Sequence, residues 1–318
     1  MEAAGTAGDV RAAELVGALS LATDLGTGQP LEHALRTAVL SARLGELAGT
    51  SAEELSDTYY VALLHASGCT SNEHEAAQLV GDDIEHRAAF FLIDPTDREE
   101  VLAFYRAHVL PDRPPEVRAQ MVERALADPT RAREAFAAMC EVAQRFAGWL
   151  GLGLGVENAL EFVFARWDGR GLPAVAGEEI PLPARLLHVA RDFSLFVSAA
   201  GAEEARGVVE RRAGAAYEPK LAELAAQHLG DVDLDPDRRA VGGAGGPVGA
   251  ALERSDVTER AAVDTAHVGV ERPLERHPRD AVQRRAARLD PVRGSHLRQY
   301  RTYVRLPGRG PVTRIRSP

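Results

Sequence analysis

Apolar residues recur at three- to four-residue spacing through most of the first 228 positions, and no sustained alternation intervenes. This period predicts a succession of helices, and therefore an all-α fold. Val10 to about Leu21 predicts a short amphipathic helix, followed by a turn over Asp24-Leu25-Gly26-Thr27-Gly28-Gln29-Pro30. Pro30 suits a helix start, and Leu31, Leu35, Val39, Leu44 and Leu47 then line one face. Ser51 and Glu54 stand at capping-box spacing ahead of a helix carrying Leu55, Tyr59 and Leu63. Thr96 and Glu99 repeat that spacing before Val101, Leu102, Phe104 and Tyr105. A helix from Pro115 toward Leu126 follows, then one after Asp128-Pro129-Thr130 that ends near Trp149. Phe136, Met139, Ala143 and Phe146 form a packing stripe on the latter. The glycines at 151, 153 and 155 break the pattern; without a preceding strand or GxGxxG spacing they do not make a dinucleotide-binding turn.

The chain is organised around Val156 to Phe196. Val156, Leu160, Val163 and Phe164 predict a helix that stops at Trp167-Asp168-Gly169-Arg170-Gly171-Leu172-Pro173. In that loop Gly169 and Gly171 offer positive-φ geometry, Pro173 stiffens the turn, and Asp168 bonds back to backbone amides. A second helix starts near Pro183 and runs through Leu186, Leu187, Ala190 and Phe193, which places Trp167 in the corner between two apolar faces. Glu203 to Arg212 and Pro219 to His228 predict two more short helices.

Charge divides the chain. Residues 238–318 hold 17 arginines against 8 acidic residues, which leaves −19 on residues 1–237 out of a net −10. The acidic part argues against nucleic-acid binding. The Gly/Pro/Asp-containing stretch 231–250 reads as a linker, and 251–318 as a basic, irregular or disordered tail or the product of a shifted reading frame. Cys69 and Cys140 make no disulfide framework, and no apolar run approaches 20 residues, so a cytoplasmic protein without a membrane span is expected.

The loop Trp167-Asp168-Gly169-Arg170-Gly171-Leu172-Pro173, followed by Ile180-Pro181-Leu182-Pro183-Ala184-Arg185-Leu186-Leu187-His188-Val189-Ala190, resembles the signature of the HD-GYP family of metal-dependent phosphohydrolases. Tyr59 to Gly68 resembles that family's histidine-bearing helix, with His65 at the matching histidine and His33 at the first ligand histidine. Ala213 to Leu224, with Tyr217 and Glu218, resembles the family's closing segment. The resemblance implies an HD-domain-like helical bundle over about residues 10–230. In that family two or three metal ions activate water to hydrolyse cyclic di-GMP, while basic groups offset phosphate charge. The ligand positions depart from this pattern. Ala66 stands at the defining aspartate, and Val163, Phe164 and Ala165 at two histidines and a glutamate. Leu172 stands at the tyrosine, and Arg191 and Ser194 at two acidic positions.

These departures imply a noncatalytic signalling, regulatory or dimerisation module, with no cofactor predicted. Two alternatives stand beside it: a divergent metal-dependent phosphohydrolase acting on cyclic di-GMP or another phosphoester, and a structural partner domain of a larger transcriptional regulator. If a divalent metal is held, the candidates are His33, His65, Asp82, Asp83 and His86. Arg170 is the phosphate candidate, and Trp167, Asp168, Gly169, Gly171 and Pro173 are the structural motif. The implied partners are a second copy of the chain or a signalling protein, with cyclic di-GMP as ligand.

Overall fold

The computed structural model describes residues 12–71, 83–108, 113–127 and 129–232. The expected linker from residue 233 onward and the basic tail lie outside them. The described residues build an all-α bundle: α1 (Ala12–Gly26), α2 (His33–Ala48), α3 (Ala52–Leu64), α4 (Asp83–Phe90), α5 (Arg98–His108), α6 (Pro115–Ala127), α7 (Pro129–Trp149), α8 (Leu154–Leu160), α9 (Leu182–Ala200), α10 (Ala202–Arg212) and α11 (Pro219–His228). Among these residues no strand forms; Phe164 with Leu172 and Ala213 with Tyr217 make isolated bridges. No described helix is long and apolar enough to cross a membrane.

Local chemistry sets several boundaries. Ser51 and Glu54 close the predicted capping box at the start of α3. At α5 the cap differs from expectation: the Asp97 carboxylate, not Thr96, accepts from the Glu99 and Glu100 amides at 2.8 and 3.2 Å. The first helix runs past the expected turn to Gly26, because Thr23 and Thr27 hydroxyls bond back along it and Asp24 has a buried task. Both carboxylate oxygens of Asp24 accept from the Ala34 amide at 3.3 Å, so a side chain of α1 satisfies the open amino end of α2. That helix starts at His33 rather than Pro30, since the Pro30 carbonyl accepts from the His33 amide at 2.9 Å and closes a turn there.

The axis of the bundle is α9, which packs on α2, α3, α8, α10 and α11. Most of its residues between Pro183 and Phe196 are buried, as in a helix enclosed by others. Ala184 and Leu187 join Val61, Leu64, Val156, Leu160 and Ile180 in one core cluster. Leu186, Val189, Phe193 and Phe196 join Leu40, Leu44, Val209, Tyr217 and Leu221 in a second.

Candidate functional site

Helices α2 and α3 bring His33 and His65 edge to face, with ring centroids 5.9 Å apart. Both are buried. His65 follows the last residue of α3, and its Nδ1 lies 2.7 Å from the Ala62 carbonyl oxygen. A carbonyl can only accept, so the proton sits on Nδ1 and the lone pair of the neutral ring on Nε2. His33 Nδ1 lies 3.5 Å from the Ser194 hydroxyl on α9. Ala66, at the turn after His65, is buried and supplies no polar atom beyond its backbone.

The face that α9 turns to these rings carries His188, Arg191 and Ser194 at three-residue spacing. His188 donates from Nε2 to the Phe162 carbonyl at 2.8 Å, and Arg191 donates from Nη1 to the Val163 carbonyl at 3.2 Å. Helix α8 stops at Leu160 and not beyond Phe164, as its periodicity predicts; past it the Phe162 and Val163 carbonyls accept from α9, and the Phe162 carbonyl also closes a turn with the Ala165 amide at 3.0 Å. Burial, then the charges of His65 and Arg191, pushes His33 down to about 3. Burial, with Arg191 adding to it, pushes His65 and His188 down to about 4. At neutral pH all three imidazoles are uncharged.

Beside them Asp192 anchors a buried polar knot. Its carboxylate accepts from Arg191 Nε at 2.8 Å, Arg212 Nη1 at 3.3 Å and the Tyr217 hydroxyl at 2.6 Å. Burial works to raise its pKa, but the two guanidinium charges and the Tyr217 hydroxyl prevail and hold it below the ordinary carboxylate value. A second set of ion pairs runs outward: Arg166 bridges Asp94 at 3.0 Å and Asp168 at 3.3 Å, and Asp168 takes the exposed Arg170 at 2.8 Å. Asp168 also accepts from the Arg170 amide at 3.0 Å, the bond back to backbone that its place in the loop predicts.

The loop itself differs from expectation at two residues. Gly169 has positive φ, 76°, whereas Gly171 does not. Gly171 is needed for close approach, because a Cβ there would lie 2.5 Å from both the Arg166 nitrogen and the Phe164 oxygen. Trp167 is half-buried rather than fully enclosed; the Arg185 guanidinium lies 6.0 Å from its ring. The loop is held through backbone instead, from the Trp167 and Asp168 amides to the Ala216 and Ala215 carbonyls at 3.2 and 2.9 Å. Pro173 follows a cis bond from Leu172.

Of the other candidates, Asp82 lies outside the described residues, and only the backbone of Asp83 is described, as the first residue of α4. The His86 ring sits against Phe104 at 4.7 Å and Tyr105 at 6.4 Å, in an aromatic cluster with α5. Glu218 pairs with Arg185 at 2.7 Å. Cys69 and Cys140 are buried free thiols, pushed up to about 11 and about 12 mainly by burial, and so are poor nucleophiles.

This residue set does not fit a divalent ion. Two imidazoles face one another, α9 answers with a guanidinium and a hydroxyl, and Asp192 is engaged by two arginines and a tyrosine. Among the described residues no group of three or more His, Cys, Asp or Glu is placed to hold a metal. Sequence reasoning passed over His188, Asp94 and Arg212. The available signal was the ionisable residues His188, Arg191 and Asp192 in the middle of a helix rich in leucine, valine and phenylalanine.

No family model matches the chain. Over 217 residues it is 27% identical to the 3'3'-cGAMP-specific phosphodiesterase 3 of Vibrio cholerae, covering 67% of this chain and 47% of that protein. Its fold is similar to that in the crystal structure of a cyclic GMP-AMP specific phosphodiesterase of V. cholerae, with a TM-score of 0.52 and 24% identity over 80% of this chain and 53% of the other. The chain thus spans about half the length of the proteins it matches, and in sequence and in fold it is similar to part of a cyclic-dinucleotide phosphodiesterase.

Proposed function

We propose that residues 12–232 are a noncatalytic regulatory module of HD-GYP type, derived from a cyclic-dinucleotide phosphodiesterase and acting in the cytoplasm on a signalling partner or a second copy of the chain. The observation that carries this reading is Arg191, a cation three residues before Ser194 on α9, whose hydroxyl lies 3.5 Å from His33 Nδ1. Hydrolysis of a phosphodiester at neutral pH needs a nucleophile made from water, and a bound metal supplies it by lowering the pKa of that water toward about 7. Ala66, Arg191 and Ser194 offer no carboxylate for such an ion, and the buried, neutral His33 and His65 offer no negative charge.

A divergent phosphohydrolase is the second reading. The likeness to a 3'3'-cGAMP-specific phosphodiesterase favours it, and taken alone the comparisons support hydrolysis better than regulation. In that reading the exposed Arg170 contacts phosphate and His65 Nε2 accepts a proton from water. Incubation of the purified chain with cyclic di-GMP and 3'3'-cGAMP, with and without Mn²⁺, followed by product chromatography, separates the two. The regulatory reading expects intact dinucleotide in every arm. Turnover that disappears in His65→Ala would establish the hydrolase.

A further inference from the structure

Arg191 carries a charge into the interior with only 15% of its side chain exposed. A buried cation needs fixed acceptors, and it has them: the Asp192 carboxylate at Nε, 2.8 Å away, and the Val163 carbonyl at Nη1, 3.2 Å away. His188, one turn earlier on α9, fastens the preceding carbonyl of Phe162. Ser194, one turn later, brings its hydroxyl to 3.5 Å from His33 Nδ1. One helical face therefore joins the Phe162-Val163 backbone, the His33–His65 pair and, through Asp192, Arg212 and Tyr217. Joining several chain segments around one centre of positive charge is what a structural metal ion does. Here a side chain does it.

We propose that Arg191 is a built-in cation that takes the place of a divalent metal beside His33 and His65, tying α9 to the segment after α8 and keeping metal out of the pocket. A second cation beside the guanidinium would meet like charge in a water-poor site, and on α9 His188 is engaged by the Phe162 carbonyl and Asp192 by two arginines and Tyr217. The inference deepens the regulatory reading and rests on it in one respect: a pocket closed to metal has no use for metal-activated water.

The test uses the full chain, stripped of metal and titrated with Zn²⁺ and Mn²⁺, with bound metal measured by elemental analysis and folding by thermal unfolding. Wild type and Arg191→Lys, which both keep a cation, are expected to take up no stoichiometric metal and to show the same Tm with and without it. Arg191→Asp is expected to bind Zn²⁺ about tenfold or more tightly than wild type, with a rise in Tm, since a carboxylate then faces two imidazoles. A second change, His65→Gln, should abolish that gain. Arg191→Gln, uncharged and milder, is expected to bind more Zn²⁺ than wild type by a smaller factor. Stoichiometric metal in wild type that is lost with His65→Gln would overturn the proposal. So would folded Asp and Gln variants that bind no more metal than wild type, or failure of both to fold with and without Zn²⁺. Turnover of a cyclic dinucleotide by metal-free wild type would defeat the regulatory reading and leave this proposal standing, whereas metal uptake by wild type would defeat this one whatever the turnover.

Discussion

Tyr217→Phe removes one oxygen atom from the interior and leaves the ring in place. The Tyr217 hydroxyl donates to Asp192 at 2.6 Å, in the range of a charge-assisted bond, and the side chain is 2% exposed. Hydrogen bonds to buried charged groups contribute about 1.5 to 3 kcal/mol, and Phe repeats the packing of the ring, so the loss should fall within that range. Asp192→Asn keeps the shape but takes the countercharge from Arg191 and Arg212; breaking a buried ion pair in this way costs about 3 to 5 kcal/mol. Because both substitutions disrupt one knot, the double variant should lose less than the two single losses together. Urea unfolding at pH 7 followed by circular dichroism measures all three. The pH dependence has a definite sign: the folded-state pKa of Asp192 is depressed, so its contribution is present above the unfolded carboxylate value near 4 and is lost as pH falls through the folded pKa. The penalty of Tyr217→Phe should shrink over that acid range. A Tyr217→Phe variant within about 0.5 kcal/mol of wild type at pH 7, or a strictly additive double variant, would refute the account of this knot.

The loop and the histidines yield further tests by the same unfolding measurement. Gly171→Val should cost more than about 3 kcal/mol, because its Cβ meets backbone atoms of Phe164 and Arg166 that cannot turn aside. Trp167→Ala should cost about 2 kcal/mol, less than the 3 to 5 of a fully buried ring, since the indole is half-buried; a loss above 4 would contradict that placement. Arg170→Ala, with 59% of its side chain exposed, should stay within about 0.5 kcal/mol. His33, His65 and His188 have folded pKa values of about 3, 4 and 4, below the unfolded value near 6.5, so the stability they contribute is present above pH 6.5 and falls as pH drops. Asp24 and Asp57, raised to about 7 and about 6 mainly by burial, act in the opposite direction over part of that range. Comparison with His65→Gln cancels these common contributions: between pH 6 and 4.5 the wild-type stability should fall more steeply by about 1.4 kcal/mol per pH unit, and equal slopes would show that His65 titrates normally.

What the sequence determined by itself was whatever short-range chemistry controls. Ser51 and Glu54 announce the start of α3 because both halves of the cap lie within four residues. The two helices Ala202–Arg212 and Pro219–His228 and the span Pro129–Trp149 follow from periodicity and proline placement, and so does the all-α class. The resemblance to HD-GYP proteins pointed to His33 and His65, which the fold brings to 5.9 Å. Tertiary structure decided the rest, for reasons that lie outside any local window. The helix α8 stops at Leu160, and donors 26 and 28 residues further along bond the Phe162 and Val163 carbonyls beyond it. Gly171 is constrained by neighbouring backbone and not by its own φ, a distinction that composition cannot carry. Trp167 is half-buried, and backbone bonds to Ala215 and Ala216 hold its turn. Asp24 looks like a turn residue in sequence, yet it caps a helix ten residues away. Arg191 shows the difference most plainly: in sequence it marks a departure at an acidic position of the family motif, and only the packing of α9 against α2, α3 and the Val163 segment leaves it 15% exposed between a carbonyl and a carboxylate.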